Sequence, residues 1–404
     1  MMIVEDYSKK PLVQRKRQVE KLGLYTFFRP ISESTGRTVT VRGKKQVMVG
    51  SNNYLGLTHH PYVKEKAKEA IDKYGTGCTG SRFINGNLDL HEELEERLAK
   101  FMGVEKTIVY STGMQTNLGS IAAITEGKAA IFSDAENHAS IIDACRLSRS
   151  PIYKFKHNSM EELEMLLEEN RDKYDDAMII VDGVYSMTGD IANLPEIVTL
   201  SKKYNCKVYV DDAHGLGVLG PNGQGTPTHF GLQKDVDFLM GTFSKSFASI
   251  GGVLGGAKDS IEFVQLTSRS LTFSASIPPS AAATVLACLD ILEKDDSLVK
   301  KLNDNVDFMA RGFKDLGFYT YDSKTPIISI LVGDELIGLQ VAKALDDMGV
   351  FTSCILPPAV PKGEALIRTS YMASHEKEEL QYVLDVFAKL KKMFPFATEL
   401  KQGL

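Results

Sequence analysis

An acid and a lysine in the middle of the chain are the residues whose types and spacing best suit covalent chemistry. VYVDDAHGLGVLG (208–220) places Asp211 at the end of an apolar run, and DVDFLMGTFSKSFASIGG (235–252) places Lys245 in a loop of small residues. Strand ends of this kind bind ligands in α/β proteins. A lysine amine forms an imine with an aldehyde, and a carboxylate keeps a pyridine nitrogen protonated so that the ring withdraws electrons. The pair therefore predicts pyridoxal 5'-phosphate (PLP) as the cofactor, joined to Lys245 and held at its ring nitrogen by Asp211.

Three polar side chains beside this pair could complete a PLP site. His214 follows Asp211 by three residues and could reach the phenolic oxygen of the ring. Thr242 and Ser244 flank Lys245 and could bind the phosphate. Each residue alone would also suit a surface loop or a turn, but the combination favours a cofactor site.

A phosphate could also be bound at YSTGMQTN (110–117), where an apolar run leads into small residues that open a helix. Backbone N–H groups at a helix N-terminus bind phosphate, which assigns Gly113 and Met114 to that role. A plain helix cap by Ser111 or Thr112 is the alternative for this segment.

Two further loop residues follow strand-like segments. His138 in DAENHASIID (134–143) could stack on the cofactor ring and contact substrate, and Ser186 in DGVYSMTGDIANLPEI (182–197) could donate a hydrogen bond near the ring oxygen. The alternatives are a solvated loop histidine and a serine that caps a turn.

The elements that must position these residues alternate between short apolar runs and helical stretches. The apolar runs are TIVYS, AAIFS, AMIIVDG, KVYVDD and DFLMGT. This rhythm predicts an α/β fold with a mostly parallel sheet. We expect an N-terminal segment (1–62), a large PLP-binding α/β domain (63–285) and a smaller C-terminal α+β domain (286–404).

Helices are predicted over 12–24, 61–74, 88–102, 286–320, 335–348 and 375–393, and C-terminal strands over 326–332, near 350–355 and over 365–371.

Composition excludes several classes of protein. A net charge of −5 over 404 residues argues against binding nucleic acid by phosphate neutralisation. The five cysteines have no CxxC spacing, which favours a reducing compartment and predicts neither disulfides nor a metal site. The N-terminal residues lack the apolar core of a secretory signal, and no apolar run is long enough to span a bilayer. We expect a cytoplasmic enzyme, with peripheral contact to the inner face of the membrane left open.

The order of these motifs resembles the α-oxoamine synthase family. STGMQ, NHASI, DGVYSM, VDDAHG and GTFSKS are followed by PPAVP (357–361) and LIR near the C-terminus. The resemblance implies a fold-type I PLP enzyme that condenses an amino acid with an acyl-CoA and releases CO2. It also implies a homodimer whose active sites lie at the subunit interface.

The resemblance assigns roles to individual residues. It implies that His138 stacks on the ring, that Asp211 pairs with the ring nitrogen and that His214 pairs with the phenolic oxygen. Ser186 and Thr242 match cofactor-contacting positions, and Lys245 is implied as the base that removes the Cα proton.

Further positions are implied for the substrate and for the partner subunit. Arg368 in ALIRTS matches the arginine that holds the amino-acid carboxylate, and Asn53 matches an asparagine near the substrate, with Asn52 leaving a one-residue ambiguity. Ser274 in FSAS matches a residue that reaches the phosphate of the neighbouring subunit.

Within the family, four segments are most similar to bacterial serine palmitoyltransferases: GLYTFFRPI (23–31), GSNNYLGL (50–57), YGTGCTGSRFINGNLDLHEELE (74–95) and MGTFSKSFASIGG (240–252). That similarity implies L-serine and a long-chain acyl-CoA as substrates and 3-oxosphinganine as product. The alternatives are 2-amino-3-ketobutyrate CoA ligase, which uses glycine and acetyl-CoA, 8-amino-7-oxononanoate synthase, which uses alanine and a pimeloyl thioester, and 5-aminolevulinate synthase. The PPAVP segment varies within the family and does not decide acyl specificity.

Overall fold

The structure, a computed structural model, describes residues 6–400 and divides into two compact units. The large unit contains Asn52–Asp304 and Met372–Ser374, and the small unit contains the residues up to Ser51, Asn305–Tyr371 and those from His375 onwards. The predicted domain limits at residues 62 and 285 stay predictions. Residues 1–5 and 401–404 of the predicted terminal segments lie outside the described residues.

The small unit begins with a helix and three short strands. Helix α1 (Pro11–Lys21) starts at a proline, whose fixed φ suits the first turn, and buries none of its residues. Strands β1 (Ile31–Ser34), β2 (Thr38–Val41) and β3 (Lys44–Met48) then form an antiparallel meander.

The large unit alternates helices and strands. In chain order its elements are α2 (Pro61–Tyr74), α3 (Asp89–Met102), β4 (Lys106–Tyr110), α4 (Gly113–Thr125), β5 (Ala130–Asp134), α5 (Ala139–Ser148), β6 (Ile152–Phe155), α6 (Met160–Asn170), β7 (Ala177–Asp182), α7 (Leu194–Lys203), β8 (Lys207–Asp211), α8 (Thr226–His229), β9 (Phe238–Thr242), β10 (Gly252–Gly256), α9 (Lys258–Thr267), α10 (Arg269–Thr272) and α11 (Pro279–Lys294).

Its strands form a seven-stranded sheet in the order β4-β10-β9-β8-β7-β5-β6. Strand β10 runs antiparallel to β4 and β9, whereas the pairs β9-β8, β8-β7, β7-β5 and β5-β6 are parallel. The predicted α/β fold with a mostly parallel sheet is confirmed. Because parallel strands end at the same edge, β7, β8 and β9 bring Asp182, Asp211 and Thr242 to one edge of the sheet.

The rest of the small unit contains α12 (Ser297–Asp315, which begins in the large unit), β11 (Ile327–Gly333), α13 (Glu335–Asp347), β12 (Val350–Phe351), β13 (Ser353–Ile355), β14 (Ala365–Ser370) and α14 (Lys377–Met393). Strands β11, β14 and β13 form an antiparallel sheet, and β12 pairs in parallel with β3. The core includes Phe313, Phe318 and Phe387, whose rings meet edge to face with centroids 5.0 to 5.9 Å apart. Burying each such ring stabilises the unit by roughly 1.5–3 kcal/mol.

Two strands of the large unit were not predicted. Strand β6 is short, and three of its four residues are partly or fully exposed. Strand β10 reads GVLGG, a composition typical of a loop, yet all five residues are buried. A Cβ on Gly252 would lie 2.4 Å from Thr116 Oγ1, so glycine is needed where α4 crosses this strand.

Across residues 6–400 no helix is long and apolar enough to cross a membrane.

Candidate active site

The carboxyl ends of β7, β8 and β9 border a cavity of about 310 Å³. The structure brings together at this cavity the predicted residues Gly113, Met114, His138, Ser186, Asp211, His214, Thr242, Ser244 and Lys245. Asp182 and Ser140, which were not predicted, also line it.

Lys245 lies in a tight loop that connects β9 to β10. Phe243 N donates to Gly251 O at 3.0 Å, and Ser249 N donates to Phe243 O at 2.9 Å, which closes the loop at its base. The side chains of Phe243 and Phe247 are fully buried and hold the loop against the core. Alternation of buried phenylalanines with small residues therefore fixes the position of the half-buried Lys245 at the cavity.

Asp211 is the buried acid of the cavity, with an exposed fraction of 4%. Asn117 on α4 donates from Nδ2 to Asp211 Oδ2 at 2.7 Å, and Ala213 N donates to Oδ1 at 3.1 Å. The amide orientation of Asn117 follows from Tyr209, whose hydroxyl donates to Asn117 Oδ1 at 2.8 Å. Both oxygens of the carboxylate thus accept hydrogen bonds, which fixes its direction.

The same amide connects Asp211 to His138. Asn117 Nδ2 also lies 2.8 Å from Ser140 Oγ, which in turn lies 2.7 Å from His138 Nδ1. Ser140 has one hydroxyl proton, and because its oxygen accepts from Asn117 that proton is available to His138 Nδ1. The ring proton of a neutral His138 is then on Nε2, and the ring is exposed toward the cavity.

Asp182 ends the strand next to Asp211 and is 4% exposed. Its Oδ2 accepts from His138 N at 2.9 Å, and among residues 6–400 no donor lies within hydrogen-bond distance of its buried Oδ1. Burial raises the pKa of Asp182 well above its usual value of 3.8, and the nearby charge of Asp211 raises it further.

His214 follows β8 and contacts a tyrosine that was not predicted. The hydroxyl of Tyr54 lies 2.6 Å from His214 Nδ1, and Tyr54 is fully buried. The same hydroxyl donates to Asn52 Oδ1 at 3.2 Å, so Tyr54 fixes the orientation of the His214 ring through its contact with Nδ1.

The N-terminus of α4 closes another side of the cavity. Thr112 caps the helix by accepting from Gln115 N at 3.1 Å, and Gly113 and Met114 form its first turn. First-turn N–H groups have no acceptor within a helix, so they can bind an anion. A Cβ on Gly113 would lie 2.9 Å from Thr242 Oγ1, so glycine lets the helix end approach Thr242 closely.

Three predicted residues lie elsewhere. Asn53 is buried in the large unit and donates from Nδ2 to Thr58 Oγ1 at 2.9 Å. Ser274 Oγ accepts from Gln115 Nε2 at 3.0 Å. Arg368 is 6% exposed and belongs to β14 of the small unit. Their functional roles stay predictions.

Sequence reasoning missed Asn117, Ser140, Asp182 and Tyr54. Part of the signal was available, because Asn117 lies one helical turn after Gly113 and Tyr209 lies two residues before Asp211 on the same face of its strand. The contact of Tyr54 with His214 spans 160 residues of chain and has no local signal.

The residues at this cavity fit PLP by their chemistry. A lysine amine suits its aldehyde, a buried and doubly hydrogen-bonded carboxylate suits its ring nitrogen, and a helix N-terminus beside Thr242 and Ser244 suits its phosphate.

Comparisons with known proteins agree with this chemistry. Residues 44–387 match the family model described as aminotransferase class I and II. The chain is 58% identical over 394 residues to a serine palmitoyltransferase of Bacteriovorax stolpii, covering 98% of this chain and 94% of the relative. It is 42% identical to an 8-amino-7-oxononanoate synthase of Thermoanaerobacter pseudethanolicus, covering 94% and 96% of the two chains.

A solved structure is similar throughout. Serine palmitoyltransferase from S. paucimobilis, with a bound PLP–myriocin aldimine, superimposes with a TM-score of 0.92 at 34% identity and covers 96% of this chain and 99% of its own. Sequence match, fold and cavity chemistry agree on PLP as the cofactor. The chain therefore belongs to the class I and II aminotransferase family, within its α-oxoamine synthase branch of PLP-dependent acyltransferases.

Proposed function

We propose that this enzyme condenses L-serine with a long-chain acyl-CoA such as palmitoyl-CoA, releasing CoA and CO2 and forming 3-oxosphinganine. The observation that supports this choice is the 58% identity to a serine palmitoyltransferase over nearly the whole chain. The formation of 3-oxosphinganine would be the first step of sphingolipid synthesis.

In the proposed mechanism, PLP supplies an electron sink for negative charge that develops at the amino-acid Cα. Asp211, oriented by Asn117, holds the proton at the ring nitrogen on which that sink depends. His214, oriented by the contact of Tyr54 with its Nδ1, would present Nε2 to the phenolic oxygen of bound PLP.

The remaining residues transfer protons, bind the phosphate and contact the substrate. Lys245 Nζ accepts the Cα proton and returns one after CO2 has left. With PLP bound, His138 would stack on the ring and present its Nε2 proton to the substrate, and Ser186 would donate near the phenolic oxygen. The N–H groups of Gly113 and Met114, with Thr242 and Ser244, bind the phosphate.

The substrate choice is tested by CoA release across L-serine, glycine and L-alanine, each with acyl-CoAs from C2 to C16. Each buried methylene contributes roughly 0.8 kcal/mol, so a site for a long chain should discriminate steeply by length. We expect turnover with serine to rise from C8 to C16. Faster release with glycine and acetyl-CoA would contradict the proposal while leaving the PLP chemistry intact.

8-Amino-7-oxononanoate synthase is the second candidate, because a relative with that activity is 42% identical over nearly the whole chain. It predicts that alanine with pimeloyl-CoA exceeds serine with palmitoyl-CoA in the same assay. 2-Amino-3-ketobutyrate CoA ligase predicts the highest rate with glycine and acetyl-CoA.

The covalent role of Lys245 is tested spectroscopically. The purified protein should absorb visible light, and borohydride should abolish that absorbance. Lys245→Ala should lose the borohydride-sensitive band, whereas Lys234→Ala, which changes an exposed lysine of the same unit, should keep it. A wild-type protein that stays colourless with added PLP would contradict the assignment.

Arg368 is proposed to bind the amino-acid carboxylate, since a guanidinium binds a carboxylate through two parallel hydrogen bonds. Arg368→Ala should weaken the spectral response to serine far more than the affinity for acyl-CoA. Equal loss of both responses would indicate a structural role instead.

A homodimer is proposed as the functional state, with Ser274 reaching the phosphate of the partner subunit. Large apolar side chains of the large unit are exposed: Phe83 (67%), Ile84 (81%), Leu266 (72%) and Phe273 (76%). Phe83 and Leu266 line one open surface cavity of about 740 Å³. Monomers rarely expose apolar patches of this kind, so a second copy of the chain would cover them.

The dimer is tested by light scattering. Phe83→Asp should shift the protein toward the monomer, whereas Leu12→Asp, at a residue of α1 that is 76% exposed, should not.

Peripheral contact with an anionic membrane is proposed for α1, which buries no residue and carries Arg15, Lys16 and Arg17. The protein should sediment with phosphatidylglycerol vesicles and not with phosphatidylcholine vesicles, and Arg17→Glu should weaken the interaction.

A further inference from the structure

His157 lies outside the cavity and contacts two loops that reach it. It follows β6 in a tight turn, where Asn158 has a positive φ of 50°. Its Nδ1 lies 3.1 Å from Asp134 Oδ1, and its Nε2 lies 2.7 Å from Asp190 Oδ2. Its ring meets the buried ring of Tyr185 edge to face, with centroids 4.3 Å apart.

Hydrogen-bond geometry requires this imidazole to be protonated. A neutral imidazole has one N–H donor, and an ionised carboxylate can only accept, so two carboxylates at the two ring nitrogens are both satisfied only by an imidazolium. Both acids accept from other donors as well: Asn158 N donates to Asp134 at 2.9 Å, and Asn158 Nδ2 lies 3.0 Å from Asp190 Oδ2.

Each acid belongs to a loop that carries a cavity residue. Asp134 ends β5 four residues before His138, and Glu136 N donates to it at 2.8 Å within that loop. Asp190 lies four residues after Ser186, and Tyr185 N donates to Asp190 O at 2.9 Å, which closes the loop around Ser186.

We propose that His157 is a positioning residue whose imidazolium ties the His138 loop (134–138) to the Ser186 loop (183–191) and thereby sets both side chains against PLP. The inference rests on the proposed roles of His138 and Ser186 and is independent of which amino acid and acyl-CoA react. Loss of the charge should loosen both loops and weaken PLP retention.

The charges around His157 agree with a protonated ring. Burial alone would lower the pKa of His157, but the hydrogen bonds to Asp134 and Asp190 outweigh it and raise that pKa to about 10. The groups that face the ring are Asp134 from β5, Asp190 and Tyr185 from the loop after β7, and the neutral Asn158 from its own turn.

The sign of the pH dependence follows from linkage. A histidine whose pKa is raised on folding contributes stability that is fully present below its unfolded pKa of 6.5 and is lost as pH rises through about 10. PLP retention should decline over the same window.

The first experiment follows histidine side-chain NMR signals of the PLP-loaded enzyme with pH. The His157 signal is identified by its absence from the spectrum of His157→Asn, and it should keep the chemical shift of a protonated ring up to about pH 9. The exposed His229 provides the reference signal. A His157 signal that titrates near pH 6.5 would overturn the proposal.

The second experiment measures PLP retention and unfolding across pH 6 to 10 in three variants. His157→Asn should weaken PLP binding by roughly 10- to 100-fold, the factor typical of a lost hydrogen bond to a charged group, and should flatten the decline with pH. Asp190→Asn should move the decline to lower pH, and the surface control His229→Asn should change neither property.

If His157→Asn fails to fold, Asp190→Asn still decides the matter, because it also identifies the His157 signal as the histidine signal whose titration moves to lower pH than in the wild type. If PLP retention in Asp190→Asn declines at the same pH as in the wild type, the proposal that His157 connects the two loops is contradicted. These readouts do not depend on turnover, so they remain valid even if the substrate assay favours another member of the family.

Discussion

The ends of strands β7 and β8 carry two carboxylates at the same level of the sheet, yet their surroundings differ. Asp182 and Asp211 are paired in register, and each is 4% exposed. Asp211 accepts hydrogen bonds at both oxygens, one of them from Asn117 on α4. Asp182 accepts one from His138 N, and burial with the neighbouring charge of Asp211 raises its pKa well above the usual range.

The difference shows that two acids at matching strand ends can have different surroundings, because neighbouring elements supply them with different numbers of hydrogen-bond donors. Two adjacent buried carboxylates repel each other when both are ionised, and the pKa of Asp182, the acid with fewer donors, is raised well above its usual value. Helix α4 supplies an amide to Asp211, the acid proposed to hold the pyridine nitrogen. Asp182 also lines the cavity, and its burial disfavours the charged form.

The largest effect that follows from this contrast is expected for Asp211→Asn. An amide cannot stabilise the proton on the ring nitrogen, so kcat should fall by roughly 100- to 1,000-fold, the range for loss of one preorganised electrostatic contact. PLP content, measured after alkaline release, should stay close to that of the parent. A variant that keeps more than about a tenth of the parental kcat would place the essential charge elsewhere.

The orienting amide should have an intermediate effect. Asn117→Ala removes hydrogen bonds to Asp211, Ser140 and Tyr209, so we expect a loss of about 1–3 kcal/mol in unfolding free energy and roughly tenfold in kcat. Asn170→Ala is the matched control, because Asn170 is a buried helical asparagine that bonds to Leu166 O.

The control should lose stability in denaturant titration without losing kcat. Equal kcat losses in both variants would show that Asn117 acts through stability alone.

Much of this site could be predicted from the sequence because its residues stand at the ends of apolar strands. Lys245 and Asp211 are found by type and position, and helix α2 has the predicted bounds, since Pro61 and Gly75 mark its two ends. Strand β10 could not be predicted, because the need for glycine at residue 252 comes from the close approach of Thr116 on another element.

Pairings across long stretches of chain were also beyond sequence reasoning. The parallel pairing of Val47 with Val350 joins segments at opposite ends of the chain, and short strands carry no signal of their partner. The difference between the two carboxylates also lacks a local signal, because Asp182 and Asp211 both end apolar runs and accept from distant segments, His138 N for Asp182 and Asn117 for Asp211.

The smallest effect is expected for Asp182→Asn, which sharpens the comparison most. An amide resembles a protonated carboxyl in shape and is neutral, so kcat should change by less than about tenfold, in contrast to Asp211→Asn. A carboxyl whose pKa is raised on folding makes the protein less stable as pH rises above its unfolded value of 3.8, because the folded state holds a proton that the unfolded state has released. Asp182→Asn should therefore unfold no more readily than the parent at neutral pH, with a difference in its favour that grows as pH rises from 4. Urea titrations of both proteins across that range measure this difference. A loss of kcat as large as that of Asp211→Asn would mean that Asp182 also acts as a charged group, and the distinction between the two strand ends would fail.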